Sequence, residues 1–347
     1  MIWKRHLIPS KTSLIEAIKK LDDLAQDALL FVHNEKNELI GSLTDGDVRR
    51  GLLAGIDLNE SINLVCQNKP RYIRLNETSI DKIRTFREQN LKIIPVLAPD
   101  SDEIVDVINF RLTLSRLPID VVIMAGGEGQ RLRPLTEHTP KPLLFVGDKP
   151  IIEYTIDRLC LFGVKHIWLS VNYLADKFVP FCEKFKRLID LKLVKEDRPL
   201  GTIGSVKLIK NFHHDTILVC NSDLLTNLDY EAFYEDFINS GADLSVVTIP
   251  YDVEIPYAVM EVEGNIVHAF KEKPTYTYYS NGGIYLMKRE VLDFIPEDEV
   301  FLATDLMNLL IDKNRKVYSF HHRGYWLDIG KHDDFRKAQE DVRLLKL

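Results

Sequence analysis

A chain of 347 residues is long enough for two domains that each bury a core, and 45% hydrophobic with 28% charged residues describes a globular protein. No apolar run approaches the roughly 20 residues of a membrane span, and the start "MIWKRHLIPS" lacks a signal-peptide core, so a cytoplasmic protein is expected. The net charge of -7 argues against a general nucleic-acid binder, and Cys66, Cys160, Cys182 and Cys220, scattered without CxxC or histidine at ligand spacing, read as reduced buried thiols rather than a zinc site.

In chain order, "TSLIEAIKKLDD" (12–23) and "TSIDKIRTFREQ" (78–89) each read as a Thr-Ser start to a helix with apolar residues at helical spacing. Each precedes a short apolar strand ("ALLFV", "KIIPVL"), a polar turn and a second strand ("LIGSL", "IVDVI"). Two copies of one unit predict a pseudo-symmetric module with a cleft between the copies. The polar, Pro-containing stretch "RLTLSRLPID" (111–120) then marks a boundary, dividing the chain into 1–116 and 117–347.

The first part resembles a tandem pair of cystathionine-beta-synthase (CBS) domains, on the string "GSLTDGDVRR", where Gly41, Thr44 and Asp47 fit the family's G-x-h-T-x-x-D ending. A Thr hydroxyl can bond a phosphate or ribose oxygen, and a carboxylate can accept from both ribose hydroxyls. The resemblance therefore implies an adenine-nucleotide site at Thr44 and Asp47, and a homodimer, since such modules often pair edge to edge. Ile108 and Arg111 stand at the corresponding places of the second copy, which departs from the pattern. The alternative is a packing module in which Thr44 and Asp47 cap a helix beginning near Val48.

From residue 119 strands and helices alternate: "IDVVIMA", the helix "IIEYTIDRLCLFG", "HIWLSV", the helix "ADKFVPFCEKFKRL", then "TILVCNSD" and "DLSVVTI". This order predicts an α/β fold with a doubly wound, mostly parallel, Rossmann-like sheet and ligands at the carboxyl ends of its strands. At one such end lies "AGGEGQRLRPLTEHTPKPLL". It is not a P-loop, since no Gly-Lys-Ser/Thr follows, nor a dinucleotide fingerprint, since Leu132 stands where a third glycine belongs. Gly126, Gly127 and Gly129 let the backbone turn and aim N–H groups at an anion, while Arg131 and Arg133 add charge, which suits a triphosphate. Pro140 and Pro142 flank Lys141 and predict extended backbone there.

That string, G-G-x-G-x-R-L-x-P-L-T followed by P-K-P, resembles the signature of sugar-1-phosphate nucleotidyltransferases. "EDRPLGTIGS" (196–205), "NSD" (221–223), "EKP" (272–274), "NGGIY" (281–285) and "WLDIG" (326–330) recur in that family's order, over roughly residues 119–347. The likeness is greatest to short mannose-1-phosphate guanylyltransferase-like members, and no hexapeptide repeat follows.

The resemblance implies attack of a sugar 1-phosphate on the α phosphorus of a nucleoside triphosphate, with pyrophosphate leaving and Mg2+ held by Asp223 and Asp328. It places Ala125, Gly126, Gly127, Gly129, Glu196, Gly201 and Thr202 at the nucleotide. Arg131 is expected at the β and γ phosphates, Lys141 near the α phosphorus and Lys273 at the sugar phosphate. Glu272, Asn281 and Gly283 are expected to line the sugar pocket, and Ala258, where relatives commonly carry Gly, to narrow it. An ionised phosphate nucleophile needs no base, so the ten histidines are expected to be structural or superficial. Guanine presents two adjacent donors and a carboxylate two acceptors, so Glu196 favours GTP over dTTP or UTP, unless Asp197 or backbone reads the base. CBS domains joined to such a unit resemble the arrangement in legionaminic-acid pathways, which suggests an amino-sugar phosphate. A non-catalytic nucleotide sensor is the rival reading; retention of Arg131, Lys141, Asp223, Lys273 and Asp328 argues against it.

Overall fold

The computed structural model describes residues 2–75, 80–186 and 188–344. Contacts divide the chain into two units, one of residues 1–117 with 161–163, the other of 118–160 with 164–347.

The first unit repeats one motif. Strand β1 (Leu7–Pro9), helix α1 (Leu14–Leu24) and the hairpin β2 (Leu29–His33) and β3 (Leu39–Thr44) form its first copy, followed by α2 (Asp45–Leu53) and β4 (Gln67–Asn68). Strand β5 (Ile73–Arg74), α3 (Ile80–Glu88), β6 (Ile93–Leu97) and β7 (Ile104–Asn109) form the second. In both, the strand before the helix pairs parallel with the first hairpin strand, and the hairpin closes antiparallel. Each helix turns its apolar stripe onto its own small core, Leu14, Ala17 and Leu21 against Leu30 and Val32 in one, Ile83 against Ile94 and Val96 in the other. Helix α1 starts where Glu16 accepts the Ser13 N–H at 3.3 Å. The matching Thr78-Ser79 start lies outside the described residues. Helix α2 begins at Asp45, three positions before Val48, because Thr44 and Asp47 form a reciprocal cap: the Thr44 N–H donates to Asp47 at 2.8 Å and the Asp47 N–H to the Thr44 hydroxyl at 3.3 Å.

The second unit is built on β8 (Ile119–Met124), a small hairpin of β9 (Phe145–Val146) and β10 (Lys149–Pro150), α4 (Ile151–Leu161), β11 (His166–Val171), α5 (Phe178–Phe185), β12 (Asp190–Lys195) and β13 (Thr216–Asn221). Then follow β14 (Leu224–Thr226), α6 (Tyr230–Ser240), β15 (Leu244–Glu254), β16 (Val259–Glu263), β17 (Ile266–Lys271), β18 (Thr275–Lys288), α7 (Ala303–Asp312), β19 (Val317–His321), β20 (Trp326–Asp328) and α8 (His332–Leu344). Its sheet has the order β12-β11-β8-β13-β18-β15-β19, and only β18 runs against the rest. The fold is therefore α/β with a mostly parallel sheet, as the alternation of elements predicts. Its central strands are continuous apolar runs, because helices cover both faces of a parallel sheet. Val122, Ile217, Val219, Tyr285 and Met287 pack with Ile203, Val206 and Leu306 in one core. The carboxyl ends of β8, β11 and β13 consequently open on one edge, where the glycine loop and the "NSD" string emerge.

No helix among the described residues is long and apolar enough to cross a membrane. The four cysteines are free thiols; Cys182 and Cys220 are buried, Cys66 and Cys160 partly so.

Candidate active site

Strand β8 delivers the loop, and local sterics fix its path. Gly129 has φ 62°, and a Cβ there would lie 3.0 Å from both the Lys141 Cβ and the Thr136 Cγ2, so glycine is required both for the turn and for the close approach. The Thr136 hydroxyl donates to the Gly129 carbonyl at 2.9 Å and closes the loop on itself. Lys141 does not lie in extended backbone: it opens a 3₁₀ turn, Lys141–Leu143, after an extended Pro140. The turn raises its side chain into the site, where its ammonium bonds the Asp223 carboxylate and lies 3.7 Å from that of Asp328.

These two carboxylates come from remote parts of the chain. Asp223 follows the buried strand β13, and Asp328 ends β20; the short antiparallel pair of β14 with β20 sets Leu224 opposite Asp328. The Ile329 N–H donates to the Asp223 carbonyl at 3.1 Å and locks the register. Burial and the neighbouring Asp223 charge push the Asp328 carboxyl up, against the pull of Lys141 and Arg131. Asp223 Oδ1 and Asp328 Oδ1 are buried and accept no hydrogen bond from any described residue. Two carboxylates beside one ammonium, each with a buried oxygen that accepts no hydrogen bond, offer the hard anionic donors that a divalent cation takes. Arg131 packs its guanidinium 3.5 Å from the position a Cβ of Gly330 would occupy, which brings the loop cation to the "WLDIG" motif.

Glu196 is 4% exposed, so it does not face solvent. It follows β12, and its carboxylate accepts from the Ser170 hydroxyl at 2.6 Å on one oxygen and from the Leu200 N–H at 2.9 Å on the other. Its Oε1 would stand 2.9 Å from a Cβ on Gly126, so glycine loop and carboxylate are immediate neighbours. The positioning residues Ser170 and Ser205, hydrogen-bonded to each other at 2.7 Å, were not singled out from the sequence. The available signal was a hydroxyl inside the apolar run "HIWLSV", which needs a buried partner. Gly201, at φ 82°, lies where a Cβ would meet the Phe301 carbonyl at 2.5 Å. The Thr202 hydroxyl accepts the Ala303 N–H at 2.9 Å and so caps α7.

Asn281 and Gly283 stand where β18 passes this edge. Gly283, at φ 69°, would drive a Cβ to 2.5 Å from the Asn221 side chain, and its N–H donates to Asn281 Oδ1 at 2.9 Å. The Trp326 indole donates to the Gly282 carbonyl at 3.0 Å, tying β20 to the same place. Ala258, Glu272 and Lys273 are not brought there. They lie in a ribbon formed by the outer parts of β15 and β18 and the hairpin β16–β17, with Glu272 and Lys273 exposed and Ala258 half-buried. Two buried histidines, His6 and His322, bond the Leu29 and Tyr325 carbonyls and play structural parts; His213 and His214 lie at the opposite ends of the strands beside Asp120.

The model of the nucleotidyl transferase family matches residues 120–344. The chain belongs to that family. Among relatives of this family member, the mannose-1-phosphate guanyltransferase of Debaryomyces hansenii is 32% identical over 62% of this chain and 62% of that one. The mannose-1-phosphate guanylyltransferase of Mycobacterium tuberculosis is 31% identical over 65% and 64%. The chain thus spans less than two thirds of the length of these curated relatives. A crystal structure of a putative glucose-1-phosphate thymidylyltransferase from Bacillus anthracis shares the fold, with a TM-score of 0.54 at 23% identity over 66% of this chain and 97% of that one. HddC from Yersinia pseudotuberculosis, complexed with GMP-PN, has a TM-score of 0.50 at 28% identity over 64% of this chain and 99% of that one.

Proposed function

We propose that residues 117–347 are a sugar-1-phosphate guanylyltransferase, joining GTP and a hexose or aminohexose 1-phosphate into a GDP-sugar and pyrophosphate. The observation that supports this reading is the Lys141 ammonium beside Asp223 and Asp328, two carboxylates each with a buried oxygen that accepts no hydrogen bond, near a glycine loop and Arg131. Asp223 and Asp328 would hold a divalent cation, for which we propose Mg2+; when bound it neutralises phosphate charge as the α phosphorus is attacked. The Gly126–Gly129 backbone, starting at Ala125, would cradle the triphosphate and Arg131 the β and γ phosphates, so that charge collecting on pyrophosphate meets a fixed cation. Lys141, released from Asp223 as the substrates enter, would face the α phosphate. The nucleophile is an already ionised phosphate oxygen: its bond to the α phosphorus forms as the bond to the β-phosphate oxygen breaks, and no proton moves. Asn281 and Gly283 would border the sugar; Glu272 and Lys273 stand on the exposed ribbon, away from this edge, and are given no part in the pocket. The product suits glycan or legionaminic-type precursor synthesis in the cytoplasm.

Base choice would rest on Glu196. Each of its oxygens accepts one hydrogen bond within the protein, which fixes the carboxylate and leaves each oxygen a second lone pair for the guanine N1–H and 2-amino group. Glu196→Gln is expected to lower turnover with GTP about tenfold relative to UTP or dTTP, the scale of one charge-assisted hydrogen bond. Pyrophosphate release across four triphosphates and a panel of sugar phosphates measures it; an unchanged order of preference removes the assignment.

For residues 1–116 we propose a tandem CBS module, supported by the repeated strand, helix and hairpin, with adenine nucleotide as ligand at Thr44 and Asp47 and a homodimer as its assembly. Asp47 is 3% exposed and also accepts from Gln67 at 3.0 Å, so a nucleotide would have to compete with that network. Calorimetric titration with AMP and ATP tests this: absence of heat assigns Thr44 and Asp47 to helix capping alone.

A further inference from the structure

At the amino ends of the strands, away from the proposed site, the sheet carries a second group of chemically able side chains. The register sets Asp120 of β8 opposite His166 of β11, and His166 opposite Asp190 of β12. Residues paired across neighbouring strands share a face and stand about 4.8 Å apart, so the three form a row on one side of the sheet. The turn before β13 brings His213 and His214 to this row. Five residue steps along β8, from Asp120 to Ala125, at about 3.3 Å each put it roughly 17 Å from the glycine loop.

A buried carboxylate holds that turn in place. Asp120 is fully buried; one of its oxygens accepts the His213 and His214 backbone N–H groups at 2.5 and 2.9 Å, and the other bonds the His214 ring at 3.1 Å. His214 is thereby engaged by Asp120, while the His213 ring is exposed and lies stacked on His166 with ring centroids 3.9 Å apart. An anchor of this kind fixes where a ligating ring stands before any ion arrives.

His166, Asp190 and His213 are, among the described residues, the one group of three with metal-ligating atoms all within 4.8 Å of one another. A tetrahedral ion with bonds of about 2.0 Å holds neighbouring donors about 3.3 Å apart. His166 Nδ1 and Asp190 Oδ2 stand at 3.4 Å, long for a charge-assisted hydrogen bond but already the edge of such a tetrahedron. The exposed His213 needs only a turn of its own ring to close the remaining gap. Lys192 holds Asp190 at 2.7 Å and lies over the Trp168 ring, so an incoming dication would take the carboxylate from a single ammonium. Two imidazoles and one carboxylate suit a borderline ion such as Zn2+, whereas Mg2+ asks for oxygen donors throughout.

We propose that His166, His213 and Asp190 bind one ion of the Zn2+ class, with water at its solvent-facing position, and that the ion fastens the turn before β13 to the first residues of β11 and β12. It would act on stability, and the assignment does not rest on the nucleotidyl-transfer reading. The metal-stripped full chain is titrated calorimetrically with Zn2+ in excess Mg2+, which occupies the hard carboxylate site, beside the variants His213→Ala and Asp190→Asn. Both positions reach the surface, and circular dichroism checks that each variant folds. The parent is expected to bind Zn2+ about tenfold or more tightly than either variant, and its melting temperature to rise with Zn2+ more than theirs. A parent that binds no Zn2+, or variants that bind it as tightly, overturn the site. Co2+ then reports the donors: the visible bands of a four-coordinate nitrogen and oxygen site are expected. A thiolate charge-transfer band in the near ultraviolet would move the ion to a cysteine and overturn the assignment.

Discussion

Lys141 neutralises two carboxylates that would otherwise repel each other in a partly buried site, and so holds both in place. Lys141→Met leaves Asp223 and Asp328 as like charges, one of them with its carboxyl already pushed up by burial and by the other. Pyrophosphate release is expected to fall about a hundredfold, the usual loss when a group facing transition-state charge is removed. The variant should also melt at a lower temperature without divalent cation and gain more than the parent when Mn2+ or Mg2+ is added, as scanning fluorimetry will show. Asp223 was legible in the sequence, because a carboxylate ending an apolar strand is poorly explained by packing. Asp328 was not legible on physical grounds: its neighbourhood depends on the three-residue pairing of β14 with β20, too short to leave a periodic signature, and only the resemblance joined the two. Glu196 stood out as an acceptor for guanine, but its fixation by Ser170 and the Leu200 N–H depends on where β11 and β12 end relative to each other.

At the scale of elements, the repeat in the first unit explains a departure that the sequence only recorded. Arg111, which follows β7 at the place of Asp47 in the other copy, donates to Asp27 at 3.0 and 2.7 Å, and Arg5 adds a contact at 3.3 Å. The position is thus used to fasten one copy to the other. The Arg111 guanidinium holds the Asp27 carboxyl down at about 2, from an ordinary 3.8. A depressed carboxyl contributes stability that is fully present above its unfolded value and is lost as pH falls through the folded one. Arg111→Ala should therefore cost about 2 kcal/mol at pH 7, because the buried carboxylate exchanges a bidentate partner for the longer Arg5 contact. The gap to the parent should narrow below pH 3.8 and close near pH 2, followed by urea unfolding at each pH. The strand and helix order of the second unit was readable from alternating apolar runs, since a sheet covered on both faces needs them. The ribbon was not, because β16 and β17 alternate like any half-buried strand and nothing local tells which surface covers them.

For the whole molecule, two units with separate cores predict that such substitutions stay local, so Arg111→Ala should shift the unfolding of residues 1–117 while leaving pyrophosphate release per molecule within about twofold. The ribbon has the opposite character: every residue of β17 is open to solvent and neither core reaches it. Limited digestion should therefore nick the chain between residues 255 and 275 before it cuts either core, read by mass spectrometry of the first fragments; first cuts inside the sheet would contradict this.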